Sequence, residues 1–138
     1  MILIVNTDRQ KAILLKKNLL KIGILAELST LKNIPTLVDA RQGLTAVVYV
    51  GVSPTAPQRA VMTFLHNRYP LLPQGFLTIE NEIIDATVRE SFDFVLPITA
   101  KPAMIAQTIA VTNIRIARRD PTDRVVGALR FRLADGAF

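Results

Sequence analysis

Thr45–Pro54, with the sequence TAVVYVGVSP, is a compact run of β-forming residues that ends at Gly51 and Pro54. An apolar run of this length without polar alternation predicts a short strand buried on both faces, as at the centre of a parallel sheet. Open α/β sheets place their reactive and ligand-binding residues in the loops at the carboxyl ends of such strands. At that point Val50, Gly51 and Val52 offer no nucleophile, acid, base or metal ligand. We therefore expect no reaction in this loop.

Four other β-forming segments alternate with helical patterns along the chain. The other strands are predicted at residues 2–5, 24–28, 75–79 and 92–96. The helices are predicted between Asp8 and Gly23, from Pro35 to Ala40, from Pro57 to the Pro70 region, at 81–90 and at 100–118. Strands joined by helices run parallel, with right-handed crossovers and helices on both faces of the sheet. A repeat of about 24 residues per strand and helix favours a doubly wound, five-stranded parallel α/β sheet of flavodoxin-like order 2-1-3-4-5.

The apolar residues of the first and last helices predict which helical faces pack on the sheet. In the first helix the predicted apolar stripe consists of Ile13, Leu14, Leu19, Leu20 and Ile22. In the last helix it consists of Met104, Ile105, Ile109, Thr112 and Ile116. Thr99 is the expected amino-terminal cap of that last helix.

The length of 138 residues and the lack of cysteine bound the class of protein. A chain this long forms one domain, here predicted to span 1–118. Residues 119–138 are predicted to be a linker and a short helix, which are either the start of a truncated output domain or a docking appendage. No stretch reaches the roughly 20 apolar residues of a membrane span, so a cytoplasmic protein without a membrane partner is expected. The net charge of +6 keeps nucleic acid and acidic proteins open as partners.

Residues that could support catalysis are few and scattered. No glycine-rich phosphate loop follows the first strand, where Asn6-Thr7-Asp8-Arg9 stands instead. His66 is the only histidine, and a lone helical histidine is more often a surface residue than a base. Glu80 and Glu82 are two residues apart, a spacing that does not place them on one helical face. We therefore expect no enzymatic activity, no cofactor and no metal site.

Several strings, in this order and spacing, resemble the receiver domain of bacterial response regulators. Ile2-Leu3-Ile4-Val5 and the polar triplet after it are similar to the first strand and acidic pair of receivers. The other matching strings are Ala46-Val47-Val48-Tyr49 with Pro54 (third strand and loop), Phe76-Leu77-Thr78 (fourth strand) and Phe92-Asp93-Phe94-Val95 (fifth strand). The resemblance covers residues 1–118 and implies a CheY-like fold.

The resemblance also assigns each position of the receiver's reaction centre. Receivers hold Mg²⁺ with an acidic pair, accept a phosphoryl group on an aspartate, and respond to the new charge with a hydroxyl residue and a lysine. In this chain Asn6 and Thr7 stand at the acidic pair, with only Asp8 acidic nearby, Val50 stands at the phosphoacceptor and Thr78 at the hydroxyl position. Because valine cannot form an acyl phosphate, the chain is similar to degenerate receivers, or pseudo-receivers, which keep the fold and work without phosphorylation.

The position of the receiver lysine can be aligned in two ways. An alignment without gaps puts Pro97 there, whereas Lys101-Pro102 matches the family's Lys-Pro pair only with an insertion in the loop. We favour the ungapped alignment, because it keeps the apolar stripe of the last helix in phase. Lys101 would then be a surface residue in the first turn of the helix.

Degenerate receivers act as protein-interaction or dimerisation modules, commonly through their fourth helix, fifth strand and fifth helix. The resemblance therefore implies regulation by a protein partner, an output domain of the same chain, or a second copy in a homodimer. The corresponding candidate interface residues are Ile105, Ile109, Arg115, Ile116 and Arg119.

The carboxyl-terminal segment leaves two interpretations open. Residues 128–138, ALRFRLADGAF, resemble the helix that leads into cyclic-di-GMP phosphodiesterase domains of the EAL type, which implies an amino-terminal sensor of such an enzyme. Alternatively, the arginines at 115–132 would bind nucleic acid, as in antiterminator-type or transcription regulators.

Overall fold

The computed structural model describes residues 1–6, 9–41, 43–79 and 86–118. Within them, strands and α-helices alternate and the five strands form one parallel sheet of order β2-β1-β3-β4-β5, which confirms the predicted fold. The elements are β1 (Ile2–Asn6), α1 (Arg9–Lys21), β2 (Ala26–Ser29), a 3₁₀ turn (Leu31–Asn33), α2 (Ile34–Ala40), β3 (Ala46–Gly51), α3 (Ala56–Arg68), β4 (Gln74–Thr78), α4 (Ala86–Ser91), β5 (Phe94–Pro97) and α5 (Pro102–Ala117). None of the described helices is long and apolar enough to cross a bilayer.

β3 is the central strand, and all six of its residues are buried. It pairs with β1 on one side and with β4 on the other. Because successive side chains point to opposite faces, Val48 and Val50 join the apolar cluster under α1 and α5, whereas Val47 and Tyr49 join the cluster under α2 and α3. The helices thus form two layers, one on each face of the sheet.

The apolar stripe of α1 differs from the prediction. The side chains that pack on the sheet are Ala12, Leu15 and Leu19, whereas Leu14, Leu20 and Ile22 are between 46 and 59% exposed. Leu residues stand on several sides of this helix, so the sequence pattern did not single out the inward face. The small side chain of Ala12 is fully buried, which lets the helix approach the sheet closely.

The last helix is closer to its prediction. Ile105, Ile109, Thr112 and Ile116 are buried as predicted, whereas Met104 is exposed. The Thr112 hydroxyl donates to the carbonyl of Thr108 at 2.7 Å, which satisfies it within the core. Thr99 is not the cap: the helix begins with Lys101 at the N-cap position and Pro102 in the first turn, where a proline needs no N–H partner.

β4 and β5 approach each other closely at Gly75. Gly75 pairs with Phe94, and a Cβ atom at Gly75 would overlap the Phe94 ring. A glycine is therefore required here so that the aromatic ring can lie over the neighbouring strand.

A buried polar cluster lies on the other side of the sheet. The Tyr49 hydroxyl donates to Gln74 Oε1 at 2.6 Å, and Gln74 Nε2 donates to the carbonyl of Met62 at 2.9 Å. The Gln74 backbone N–H donates to the Asp93 carboxylate at 2.7 Å. Burial raises the pKa of the Tyr49 hydroxyl, because the phenolate would be desolvated.

We expect Tyr49 to make folding stability fall at alkaline pH. A tyrosine in the unfolded chain ionises near pH 10, whereas the folded state keeps the Tyr49 proton above that pH. The stabilisation of the folded state by Tyr49 is therefore complete below about pH 10 and is lost as the pH rises further. The loss should approach about 1.4 kcal/mol per pH unit, the value for one proton. Urea unfolding between about pH 8 and 11 measures it.

Tyr49→Phe should remove this slope and, at neutral pH, cost about 1–3 kcal/mol because Gln74 Oε1 loses its donor. Tyr69→Phe, at the partly exposed second tyrosine, is the control for loss of a hydroxyl. An unchanged alkaline slope in Tyr49→Phe would contradict this assignment.

Candidate functional site

The carboxyl ends of the strands bring the predicted site positions to one edge of the sheet. Asn6 of β1 pairs with Val50 of β3, and Gly51 of β3 pairs with Thr78 of β4. Thr78 in turn pairs with Pro97 of β5. Adjacent strands lie about 4.8 Å apart, so these positions form a continuous row. Asn6, Val50, Thr78 and Pro97 therefore lie side by side along this edge of the sheet.

Val50 gives this edge an apolar centre. Its side chain is 0% exposed and belongs to the cluster that contains Leu77, Phe94 and Ile105. Thr78 is 7% exposed, and the backbone ladder continues past it, with Ile98 N–H donating to the Thr78 carbonyl at 2.9 Å. The strand-end position that the receiver resemblance assigns to the phosphoacceptor is therefore filled by a buried hydrocarbon side chain.

The last strand ends at Pro97, and Lys101 lies beyond it. Pro97 is the residue of β5 that pairs with Thr78, whereas Lys101 follows the turn 98–100 and starts α5 with an exposed side chain. The strand-end position is therefore held by Pro97, which agrees with the ungapped alignment. Lys101 lies on the surface at the start of the helix.

The remaining site positions fall partly outside the described residues. Thr7, Asp8, Glu80 and Glu82 lie outside them, and Asn6 is described through its strand pairing only. Among the side chains that the structure describes, no group of three or more His, Asp or Glu could hold a metal ion.

The loop after β3 is held by a capping box that the sequence analysis missed. The Gln58 N–H donates to the Thr55 hydroxyl at 3.2 Å, and the Thr55 N–H donates to Gln58 Oε1 at 2.9 Å. The Thr-x-x-Gln spacing before an apolar run is the sequence signal for this motif. Gln58 is buried, and its Nε2 has no hydrogen-bond partner among the residues that the structure describes. The loop is thus stabilised by its own side chains.

The candidate interface residues divide into buried and exposed members. Ile105, Ile109 and Ile116 are at most 4% exposed, so their prediction as contact residues is wrong: they hold α5 on the sheet. Arg115 is exposed, and its Nη2 donates to the Asp93 carbonyl at 3.2 Å. Arg119 lies outside the described residues.

α5 exposes a different apolar stripe, formed by Met104, Val111 and Ile114. Each of these side chains is between 53 and 55% exposed. Their spacing of seven and three residues places them along one line of the helix, as in the seam of a coiled coil. The helical spacing of these three residues is visible in the sequence. The isoleucines of the same helix form an equally regular apolar stripe, so the sequence pattern did not show which stripe faces outward.

Solved structures similar to this chain include receiver domains of response regulators. The N-terminal domain of a response regulator/sensory box/GGDEF 3-domain protein from Carboxydothermus hydrogenoformans has a TM-score of 0.67 and 15% identity, with 86% of this chain and 97% of that chain covered. The response regulator TrrA from Thermotoga maritima, in complex with Mg²⁺ and BeF, has a TM-score of 0.66 and 12% identity over 80% of this chain and 96% of its own. A CheY-like receiver domain from Methanospirillum hungatei JF-1 has a TM-score of 0.65 and 13% identity over 86 and 96%.

No protein-family model and no curated protein matches this sequence. The likeness to solved structures shows the fold: this chain has the fold of response-regulator receiver domains.

Val50→Asp should destabilise the fold rather than restore a phosphoacceptor. A carboxylate at this fully buried position loses its hydration, which raises its pKa, and we expect a cost of more than about 3 kcal/mol at pH 7. Val50→Ala is the matched control, with an expected cost of about 2 kcal/mol for the lost methyl groups.

The extra cost of Val50→Asp over Val50→Ala should shrink as the pH falls and should be nearly gone at about pH 3, below the pKa of an unfolded aspartate, where the carboxyl is neutral in both states. Urea unfolding followed by circular dichroism measures both variants. Equal stability of the two variants at pH 7 would show that this edge accepts a charged group, and the description of a closed site would be wrong.

Proposed function

We propose that this chain is a receiver-fold regulatory module that works without phosphorylation and acts through contact with other proteins. One observation carries the proposal: the strand-end position that the receiver resemblance assigns to the phosphoacceptor holds Val50, which is completely buried. A phosphoryl group needs a carboxylate to attack it and charged groups to hold the product. Neither Val50 nor Pro97, at the two strand ends that flank Thr78, can supply them.

The module would act through the layer formed by α1 and α5. The stripe of Met104, Val111 and Ile114 leaves apolar surface in water along α5, and a second copy of the chain could cover it in a homodimer. A coiled-coil-like seam between two α5 helices would bury the same three side chains from each copy. The candidate face thus remains on α5 but uses its outward residues.

The segment after α5 would connect this contact to the proposed output domain. α5 ends at Ala117, so two paired α5 helices would bring the two following segments together. If residues 119–138 lead into a cyclic-di-GMP phosphodiesterase domain, pairing of α5 would set the distance between two such domains. The receiver-fold module would then be the amino-terminal sensor of that enzyme.

Nucleic-acid binding is the second candidate function, and the charge of α5 favours it. Arg115 and Arg118 are exposed at the end of this helix, α5 contains no acidic residue, and Arg119, Arg124, Arg130 and Arg132 follow in the sequence. Arginine contacts to phosphates make binding strongly dependent on salt. Binding of a short DNA duplex that weakens steeply as salt is added would favour this alternative.

Beryllofluoride or acetyl phosphate with millimolar Mg²⁺ should leave the domain unchanged. The expected result is an amide nitrogen–proton spectrum without shifts, because the phosphoacceptor position has no group to react. A receiver with an aspartate at this position, treated in the same buffer, is the positive control. Shifts that cluster around Val50 and Thr78 would overturn the phosphorylation-independent mechanism.

Pairing through α5 predicts that the chain self-associates. Sedimentation velocity from micromolar to millimolar protein should show a concentration-dependent dimer, and Val111→Asp together with Ile114→Asp should abolish it, because charges in an apolar seam are desolvated.

Phe64→Asp, at a half-exposed residue of α3, is the matched control and should leave the dimer intact. A monomer at every concentration, or equal loss of dimer in the control, would exclude α5 as the contact.

A further inference from the structure

α1 presents a surface of a single charge sign. Residues 9–25 contain no Asp or Glu. The cations on this helix are all exposed, and they are Arg9, Lys11, Lys16, Lys17 and Lys21. They extend over the whole helix of 13 residues, a length of about 20 Å. A partner for this surface has to be negatively charged over a similar length.

Large apolar side chains lie among these cations. Leu14 and Leu20 are on α1, and Ile22 and Leu25 are in the turn that joins α1 to β2. Their exposed fractions run from 46% for Ile22 to 63% for Leu25. The opposite face of α1 already packs on the sheet, so these four side chains do not contribute to the core. We call this set of exposed cations and apolar residues between 9 and 25 the α1 surface.

The turn at the end of the α1 surface lies beside an apolar cleft. The cleft, of about 430 Å³, is lined mainly by hydrocarbon, including Met1, Ile24, Leu25 and Ile109. Lys21, the last residue of α1, directly precedes this turn. Apolar side chains and positive charge therefore coincide at this end of the molecule.

The side-chain types distinguish between the anionic partners that could bind here. Single-stranded nucleic acids stack their bases on aromatic side chains, but the α1 surface has only aliphatic ones. A surface that binds an acidic protein would be expected to carry some acidic residues beside its cations, because paired charges of both signs fix the orientation of the partner. The α1 surface carries none. Aliphatic side chains between lysines are typical of helices that lie at an anionic lipid surface, with the lysine stems along the hydrocarbon and the ammonium groups at the phosphates.

We propose that the α1 surface binds the face of a membrane that contains anionic lipids. α1 lies along the headgroups, and Ile22 and Leu25 insert from the turn into the hydrocarbon boundary. This mode needs no membrane-spanning segment, so it departs from the expectation of no membrane partner, which rested on the lack of a long apolar stretch in the sequence. It uses a surface separate from the Met104, Val111 and Ile114 stripe. It does not depend on the phosphorylation-independent mechanism, so either proposal can fail alone.

Vesicle co-sedimentation of the full chain tests the charge requirement. The chain should bind vesicles of phosphatidylcholine with phosphatidylglycerol, should not bind phosphatidylcholine alone, and should be released by salt. Changing Lys16, Lys17 and Lys21 to Gln should weaken binding by about tenfold or more.

The control for charge changes Lys32, Arg59 and Arg89 to Gln, which removes the same net charge from exposed positions elsewhere. This control variant should bind the anionic vesicles with an affinity within about twofold of that of the parent chain, because a lower net charge weakens binding only slightly when the α1 surface is intact. Equal loss in both triple variants would overturn the proposal, as would no binding to the anionic vesicles.

A second pair of variants tests insertion of the apolar turn. Ile22→Ser with Leu25→Ser should weaken vesicle binding several-fold, whereas Phe64→Ser with Leu71→Ser, which removes equally exposed apolar groups elsewhere, should not. Circular dichroism confirms that each variant is folded.

Competition between anionic vesicles and a DNA duplex distinguishes a lipid-binding surface from a nucleic-acid-binding one. If a DNA duplex at equal phosphate concentration displaces the vesicles and the Ile22 and Leu25 variant binds as well as the parent chain, the α1 surface is a polyanion site for nucleic acid. That result would overturn the lipid proposal.

Discussion

The burial of β3 on both faces is the constraint on which the rest of this structure depends. Six consecutive buried residues can satisfy their backbone N–H and C=O groups only through neighbouring strands, which β1 and β4 provide. Their side chains alternate between two faces, so each face needs its own helical layer. The parallel order then follows, because a helix between two strands brings the chain back to the same end of the sheet.

The same burial supports the proposal that this chain keeps the receiver fold without receiver chemistry. In a parallel sheet the carboxyl end of the central strand is a natural reaction site, because helices and loops leave it open to ligands. Here that end carries Val50, which extends the apolar cluster of α1 and α5 up to the edge of the sheet. At the position that the receiver resemblance assigns to the phosphoacceptor, this chain has a residue of the core. A charged group at this point would have to be desolvated, so the two uses exclude each other.

The features of the surface that point to function lie on the layer formed by α1 and α5. Of the ten exposed large apolar side chains of the described residues, seven belong to α1, to the turn after it, or to α5. Neither helix contains an acidic residue, whereas the opposite layer carries both signs of charge, as in the ion pair between Arg68 and Asp39. Apolar and cationic groups on one face favour regulation by association with another surface, and the described residues at the carboxyl edge of the sheet show no comparable feature.

The sequence by itself determined the alternation of strands and helices, the parallel order of the sheet and the position of Val50 at the strand end. These follow from local apolar patterns and chain connectivity, which act over a few residues or are set by the order of elements. It also identified the inward isoleucines of α5.

Only the tertiary structure decided which face of α1 is inside, because leucines on several sides of the helix satisfy the pattern equally and contact with the sheet selects Ala12, Leu15 and Leu19. It also placed Pro97, not Lys101, beside Thr78, and put the ring of Phe94 over Gly75. These outcomes depend on strand register and on packing between residues distant in sequence. A pattern read along one segment does not contain that information.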